Sequence, residues 1–360
     1  FDEFFGIPYS HDIHPFHPLQ SRFQFPPLPL VDGEQVIELD PDADYLTQRI
    51  TERSIAFIEK HKDEPFFLYI PHPIPHVPLH VSPKYMESVP QPIQDVLAEE
   101  GDTAVNYKVR NKIFKQAISE IDASVGQIVE TLKRHDLDEN TLLVFTSDNG
   151  PGSPEAKAGP LRGRKGDSYE GGVREPTFIR WPGVIPAGVE SDEILMSLDL
   201  LPTFAKLAVV QMPTDRVIDG MDVWSTLLGK TPSPRNVVFY HGASFAAANN
   251  LKAVRVGKWK LHVQGRQGVA LYDLETEIGE HNNVIDGNDE LEEEYSSYLY
   301  GGNTNEENEK RNAISRKRQK SILLKRQMEF MGITAHDTIS QDDLDGVLTD
   351  YANSWRDDPR

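Results

Sequence analysis

The sequence predicts an α/β fold: a mostly parallel sheet with helices on both faces, followed by a small antiparallel subdomain. Two short runs of strand length, Phe66 to Ile70 and Leu142 to Thr146, read as parallel strands buried on both faces. Between them Phe114, Ile118, Ile121, Val125, Ile128 and Leu132 recur at separations of 4, 3, 4, 3 and 4 residues, one face of a long helix. Strand, helix, strand in that order implies a right-handed parallel crossover.

The remaining elements follow along the chain. The first 45 residues are rich in His, Pro and aromatics, as in Gly6-Ile7-Pro8-Tyr9-Ser10-His11-Asp12 and Phe25-Pro26-Pro27-Leu28-Pro29. Proline holds the backbone extended and removes amide donors, so this stretch is expected to be loop with few ladder bonds. Ile50, Ile55, Phe57 and Ile58 mark an amphipathic helix over Tyr45 to Lys62, stopped by Asp63-Glu64-Pro65. The long helix spans Tyr107 to His135 and breaks at Asp136 to Asn140. Thr177 to Trp181 reads as a strand and Ser197 to Val209 as a helix. Asn236 to His241, Lys252 to Val256, Lys258 to Val263 and Gly268 to Asp273 form a set of short strands, read as the antiparallel sheet. The expected division is residues 1–235, residues 236–284, and a charged tail, helical or partly disordered, over residues 285–360. That tail holds Glu292-Glu293-Glu294 and the basic stretch Arg316-Lys317-Arg318-Gln319-Lys320. No internal repeat occurs at solenoid periods.

Composition excludes several classes of function. The 57 acidic against 37 basic residues give a net charge of −20, which repels nucleic-acid phosphates and argues against such a partner. An anionic substrate would need a local basic site. With no cysteine, the chain has no disulfide framework, thiolate metal site or cysteine nucleophile, although the compartment stays open. No apolar run approaches the ~20 residues of a membrane span. The chain opens at Phe1-Asp2-Glu3, without an initiator Met or signal peptide, and is read as a processed end or a fragment.

In open α/β sheets, ligands sit beyond the carboxyl ends of strands. Asp148-Asn149 lies at such an end and offers a carboxylate and an amide oxygen, hard donors for Ca²⁺ or Mg²⁺. With Gly150 following, the same residues also suit a simple turn. His72, His76 and His80 do not share a zinc ion: Pro73, Pro75 and Pro78 forbid a helix. In an extended chain, residues four apart are roughly 13 Å distant, whereas zinc ligands lie about 2 Å from one ion. One of them can still donate a hydrogen bond to an anion. Leu161 to Pro176 gathers four bases and four glycines, a flexible basic loop suited to an oxyanion, or else a solvated loop in which Arg174 pairs with Glu175. No nucleophile elbow, P-loop or dinucleotide fingerprint is present. Asp40-Pro41-Asp42-Ala43-Asp44 and Asp343-Leu344-Asp345-Gly346 lack a full calcium-loop ligand series and read as turns.

The chain resembles the type I, formylglycine-dependent sulfatases of the alkaline phosphatase superfamily, closest to their arylsulfatase A-like branch. The resemblance is carried by Phe1–Asp12 (FDEFFGIPYSHD), Pro65–Leu79 (PFFLYIPHPIPHVPL), Thr141–Pro151 (TLLVFTSDNGP) and Arg164–Pro176 (RKGDSYEGGVREP). Trp181-Pro182-Gly183, Ser197–Thr203, Ile218–Asp222 and Leu271–Leu274 continue it in order, to about residue 284. It implies that Asp148 and Asn149 are metal ligands, usually for calcium and in some members magnesium. It implies that Lys165 binds the sulfate and leaving-group oxygen, and that His76 hydrogen-bonds the sulfate and assists departure. Ser10 matches an active-site serine of that branch. These roles suit the chemistry, since lysine and histidine can neutralise and protonate a departing alkoxide.

In the family, paired aspartates, a Cys/Ser-x-Pro/Ala-x-Arg motif whose first residue becomes formylglycine, and a Lys-x-His element normally precede the segment with which this chain starts. The chain therefore reads as N-terminally truncated, with formylglycine expected upstream, and as inactive alone. The implied activity is hydrolysis of sulfate monoesters, with a sulfated small molecule or glycan as substrate and a periplasmic or secreted location. The alternatives are a phosphomonoester or phosphonate ester hydrolase of the same superfamily and a non-catalytic anion- or glycan-binding paralogue. Oligomeric state is left open by the sequence.

Overall fold

The computed structural model describes residues 1–284 apart from 16, 18–19, 93, 95–106, 153–155, 243–250 and 263–269. The expected tail over residues 285–360 and the turn at Asp343–Gly346 lie outside the described residues. The chain folds as two compact units, each assembled from non-contiguous segments. Unit 1 comprises Phe1–Ala158, Glu175–Ser191 and Leu227–Lys230; unit 2 comprises Gly159–Arg174, Asp192–Thr226 and Thr231–Arg360.

Unit 1 is built on two helices, Leu46–Lys60 and Tyr107–Arg134. The first ends where expected, with the His61 amide closing onto the Phe57 carbonyl at 3.0 Å. The second stops because Asp136 adopts a left-handed φ of 58° and the Leu137 amide turns back to the Leu132 carbonyl at 2.9 Å. They meet at a buried hydroxyl pair, Thr51 Oγ1 and Ser124 Oγ, 2.6 Å apart. Ile74, Leu79, Val81 and Val89 form one apolar cluster with Ile113, Ala117 and Ile121 of the long helix. Ile58, Ile128 and Leu132 form another, against which Phe66, Leu68, Ile70 and Leu143 pack.

Strand β4, Leu143–Thr146, pairs antiparallel with β5, Thr177–Arg180. Every strand pairing among the described residues is antiparallel, and the parallel crossover expected between Phe66–Ile70 and Leu142–Thr146 is not among them. Phe66–Ile70 lies outside any ladder, and its side chains alternate. Phe66, Leu68 and Ile70 pack on the helices, while Phe67 and Tyr69 are 61% and 65% exposed. A run that is apolar at every position reads as buried on both faces, and here only one face is covered. The amino-terminal stretch also departs from the loop reading. β1 (Phe5–Gly6), β2 (Pro29–Asp32) and β3 (Gln35–Leu39) form an antiparallel sheet. Its two-residue turn is Gly33-Glu34, with Gly33 at φ 61°, and a glycine at the first central position of such a loop is a hairpin signal.

Unit 2 contains the expected antiparallel sheet: β6 (Val237–His241), β7 (Leu251–Val256), β8 (Trp259–His262) and β9 (Ala270–Asp273), adjacent in chain order. Ahead of it, a 3₁₀ turn at Ser197–Asp199 leads into the helix Leu200–Leu207. Asp199 organises this region from a fully buried position. It accepts the amides of Met196 at 2.8 Å and Met221 at 2.9 Å. It also pairs with Arg235 through Nη2 at 2.5 Å and Nε at 3.0 Å.

Candidate functional site

In unit 1, β4 and β5 are tied at their ends by the Thr146 and Thr177 hydroxyls, 3.0 Å apart. The chain then turns: the Ser147 hydroxyl donates to the Asn149 carbonyl at 3.1 Å. That turn leaves Asp148 exposed, with the Asn149 amide donating to Asp148 Oδ1 at 2.5 Å. The turn reading and the ligand reading of the pair are thus compatible. Nearby, Glu175 keeps a buried Oε1 without a hydrogen-bond partner. Burial, reinforced by the charge of Asp148, pushes its carboxyl up to about 7. Asp148 and Asn149 fit a hard divalent cation in donor chemistry, and the unpartnered Glu175 oxygen marks a third oxygen in the neighbourhood. Among the described residues no group of three or more His, Cys, Asp and Glu side chains is arranged to hold a metal. The pair thus fits as part of a ligand set.

His76 sits on a loop whose Ile74 and Leu79 are anchored in the core. Its Nδ1 lies 2.6 Å from the Val77 carbonyl. A carbonyl only accepts, so Nδ1 carries the proton and Nε2 is the atom that can exchange one. The ring meets that of His11 edge-on at 5.8 Å, and His11 meets His80 likewise at 5.7 Å. His11 is buried and donates Nε2–H to the Pro78 carbonyl at 3.0 Å; burial pulls its pKa down to about 4. His80 Nδ1 pairs with Asp44 at 2.8 Å. His72 is separate from this group. Its Nε2 lies 3.5 Å from Ser124 Oγ, its Nδ1 is buried without a partner, and burial lowers it to about 4. Ser10 is exposed, and its hydroxyl bonds the Asp12 carboxylate. Burial pushes Asp12 up, but the Ser10 bond and the neighbouring His76 outweigh it and hold the carboxyl below its usual range.

Lys165 belongs to unit 2, on a glycine-rich loop where Arg164 and Lys165 are both exposed. The four bases of this loop have different fates. Arg162 turns inward, donating to the Glu280 carbonyl at 2.8 Å. Arg174 pairs with Glu170 and Asp192, each at 3.7 Å, rather than with Glu175. Gly171 and Gly172 are required by close approach: a Cβ on them would lie 2.5 Å from the Arg162 carbonyl oxygen and 2.4 Å from that of Asp167.

Sequence reasoning did not assign roles to His11, Asp12, Glu170, Glu175, Lys260 or Glu280. His11-Asp12 adjoins Ser10, so its proximity to the site was available from the motif. The charged residues on β8 and beyond it carry no local signal, because only the tertiary fold shows them buried.

A family model described as Sulfatase matches residues 1–210. The chain belongs to the sulfatase family. A second model, N-sulphoglucosamine sulphohydrolase, C-terminal, matches residues 165–301, which include the Lys165 loop and sheet β6–β9 of this sulfatase. Arylsulfatase A of Bos taurus is 32% identical over 333 residues, covering 81% of this chain and 61% of that protein. N-acetylgalactosamine-6-sulfatase of Canis lupus familiaris is 33% identical over 278 residues, covering 73% of this chain and 47% of that protein. The sulfatase chain thus spans 61% and 47% of the length of these two relatives, less than two thirds of each. The crystal structure of the PsFucS1 sulfatase from Pseudoalteromonas sp. superposes with a TM-score of 0.65 at 22% identity, over 83% of this chain and 66% of that one, so the two share a fold. In the described part of the C-terminal region this alkaline phosphatase-like fold carries the antiparallel sheet β6–β9.

Proposed function

We propose that this sulfatase chain contributes to a metal-dependent centre that hydrolyses sulfate monoesters, aryl or carbohydrate. The observation that carries the reading is the pair of exposed Asp148 and half-buried Asn149 just past the end of β4, near the buried, unpartnered oxygen of Glu175. Asp148 and Asn149 would hold a calcium or magnesium ion. When bound, that ion supplies positive charge against the sulfuryl oxygens. A formylglycine would supply the attacking oxygen, and no Cys/Ser-x-Pro/Ala-x-Arg motif that would carry it occurs among these 360 residues. His76, with Nδ1 committed to the Val77 carbonyl, delivers a proton from Nε2 to the departing alkoxide. Lys165 neutralises charge on the sulfate and the leaving-group oxygen. Ser10 binds the substrate, its hydroxyl oriented by Asp12.

In domain terms, residues 1–235 are read as part of the catalytic domain, with residues 236–284 as a small subdomain. An exported protein, periplasmic or secreted, goes with this reading, and the aryl and sugar-sulfate names of the two curated relatives support the substrate class. The full product of the gene should hydrolyse an aryl sulfate and a sulfated monosaccharide faster than an aryl phosphate. Loss of turnover in His76→Ala and Lys165→Ala supports the assignment. Preference for the phosphate ester, or unchanged turnover in both variants, overturns it.

A further inference from the structure

Strand β8 departs from the rule that strands bury apolar side chains. Lys260 and His262 are two residues apart, so they share a face of the strand. That face is internal: Lys260 is 0% and His262 5% exposed. A buried ammonium costs several kcal/mol unless it is paired. Lys260 Nζ finds two equally buried carboxylates, Glu170 Oε1 at 2.8 Å and Glu280 Oε1 at 3.3 Å. His262 Nε2 lies 2.9 Å from the same Glu280 oxygen, and Arg255 Nη1 lies 3.4 Å from Glu170 Oε2.

Several connections from this cluster lead to the glycine-rich loop. Glu170 follows it directly, and the Glu170 amide donates to Glu280 Oε2 at 2.5 Å. The preceding Tyr169 ring stacks on His262 at 4.3 Å. At the other end, Arg162 donates to the Glu280 carbonyl at 2.8 Å and to the Tyr272 hydroxyl at 3.2 Å, and its guanidinium lies 4.0 Å over the Tyr169 ring. The Gly171 amide donates to the Arg162 carbonyl at 2.6 Å and closes the loop on itself. Both ends of the segment 162–170 are thus fixed to one buried ionic cluster, and the exposed Arg164 and Lys165 lie between them.

Energy alone does not explain the cluster. Replacing a buried ion network with well-packed apolar groups is often neutral or stabilising. Directional bonds, however, fix an orientation that apolar contacts leave loose. We propose that the buried Lys260–Glu170–Glu280–His262 cluster is a positioning clamp that holds the Lys165 loop, through Arg162 and Tyr169, in the shape that presents Lys165 to an anion. The anion-binding role of Lys165 rests on the function proposed above; the clamping of the loop does not.

Trypsin reads the clamp directly, because Arg164 and Lys165 are cleavage sites. Cutting after Lys165 is followed by mass spectrometry and normalised to cutting after the exposed Lys62 of unit 1. In Lys260→Met the two carboxylates lose their common cation, and the normalised cut is expected to accelerate about tenfold or more. Arg162→Gln, which removes a half-buried anchor and leaves the ion cluster whole, is expected to act in the same direction. It keeps the test open if Lys260→Met fails to fold. Arg162→Lys retains a cation over Tyr169 and should rescue part of the protection, which a general loss of stability would not show. The clamp is overturned if the normalised cut is unchanged in both Lys260→Met and Arg162→Gln, as it is when cutting after Lys165 rises only in step with cutting after Lys62. Inorganic sulfate added to the unsubstituted protein tests the other half. A fast cut in the variants without sulfate protection in any form supports the clamp and refutes the anion role of Lys165.

Discussion

Asp199→Asn is expected to be among the most destabilising single substitutions in unit 2, and the structure sets the size of the effect. The carboxylate is 0% exposed and Arg235 8%, so the pair is held away from water. Asp199 accepts four bonds, two from the Arg235 guanidinium and two from the Met196 and Met221 amides. Asparagine can still accept from some of these donors, but it leaves the buried guanidinium without a counter-charge. Breaking one partner of a buried pair costs about 3–5 kcal/mol. At about 2–4 °C per kcal/mol for a domain of this size, Tm should fall by about 6–20 °C. The effect also carries a pH signature. Burial raises the Asp199 carboxyl, but the Arg235 bonds and the two amides outweigh it and hold it below the usual carboxylate range. A carboxylate depressed in the folded state contributes stability above its unfolded pKa of 3.8, and that stability is lost as pH falls through the folded value. The gap between wild type and Asp199→Asn should therefore be widest near neutrality and narrow below about pH 4. Calorimetric unfolding across pH measures both. A Tm within 2 °C of wild type, or a gap constant down to strong acid, would refute the reasoning.

Three further outcomes follow from the same geometry. His72 is held neutral by burial, at about 4 against an ordinary 6.5, so stability should decline as pH falls from 6.5 towards 4, by up to about 3 kcal/mol. His72→Gln should flatten that decline in urea titrations; an unchanged slope assigns the acid sensitivity to other groups, of which His11 is the next candidate. Gly171→Ala places a Cβ 2.5 Å from the Arg162 carbonyl oxygen, and overpacking of this kind costs about 1–3 kcal/mol. Its Tm should drop accordingly and its protection by sulfate should weaken, whereas alanine at the unobstructed Gly126 should do neither. Calcium at about a hundred times its Kd should stabilise the full gene product by ~2.7 kcal/mol. Asp148→Ala should abolish that shift, and a calcium response that survives the substitution would move the metal elsewhere.

The sequence revealed elements whose signal is local. The 4-3-4-3-4 spacing from Phe114 to Leu132 belongs to a single helix, Tyr107–Arg134, whose Phe114, Ile121, Val125, Ile128 and Leu132 pack in the core while Ile118 stays exposed, and this packing does not depend on chain direction elsewhere. The four strands from Val237 to Asp273 likewise form an antiparallel sheet whose order follows the chain. Strand direction is a different matter. Leu143–Thr146 is apolar enough to be a strand under either pairing, and only its partner Thr177–Arg180 decides that the pairing here is antiparallel. For the β1–β3 sheet, proline density obscured a signal that was present, since Gly33 opens the two-residue hairpin turn Gly33-Glu34.

The candidate site divides along the same line, and the division bears on how this sulfatase works. Motif residues such as His76, Asp148, Asn149 and Lys165 can be named from short segments, because the chemistry proposed for them constrains their neighbours in sequence. What aims them comes from far away in the chain. His76 depends on Val77 for its tautomer, which is local, but its ring neighbour His11 is 65 positions earlier. The Lys165 loop depends on Lys260 and Glu280, roughly a hundred positions later, and on a strand where charged residues face inward against every rule of patterning. A sequence pattern that breaks the local rule survives only if the tertiary fold satisfies each buried group, as it does for Lys260. That gives sheet β6–β9 a role the motif residues cannot supply. It holds the cation-bearing loop from behind, so a substitution there can alter anion binding without touching the anion.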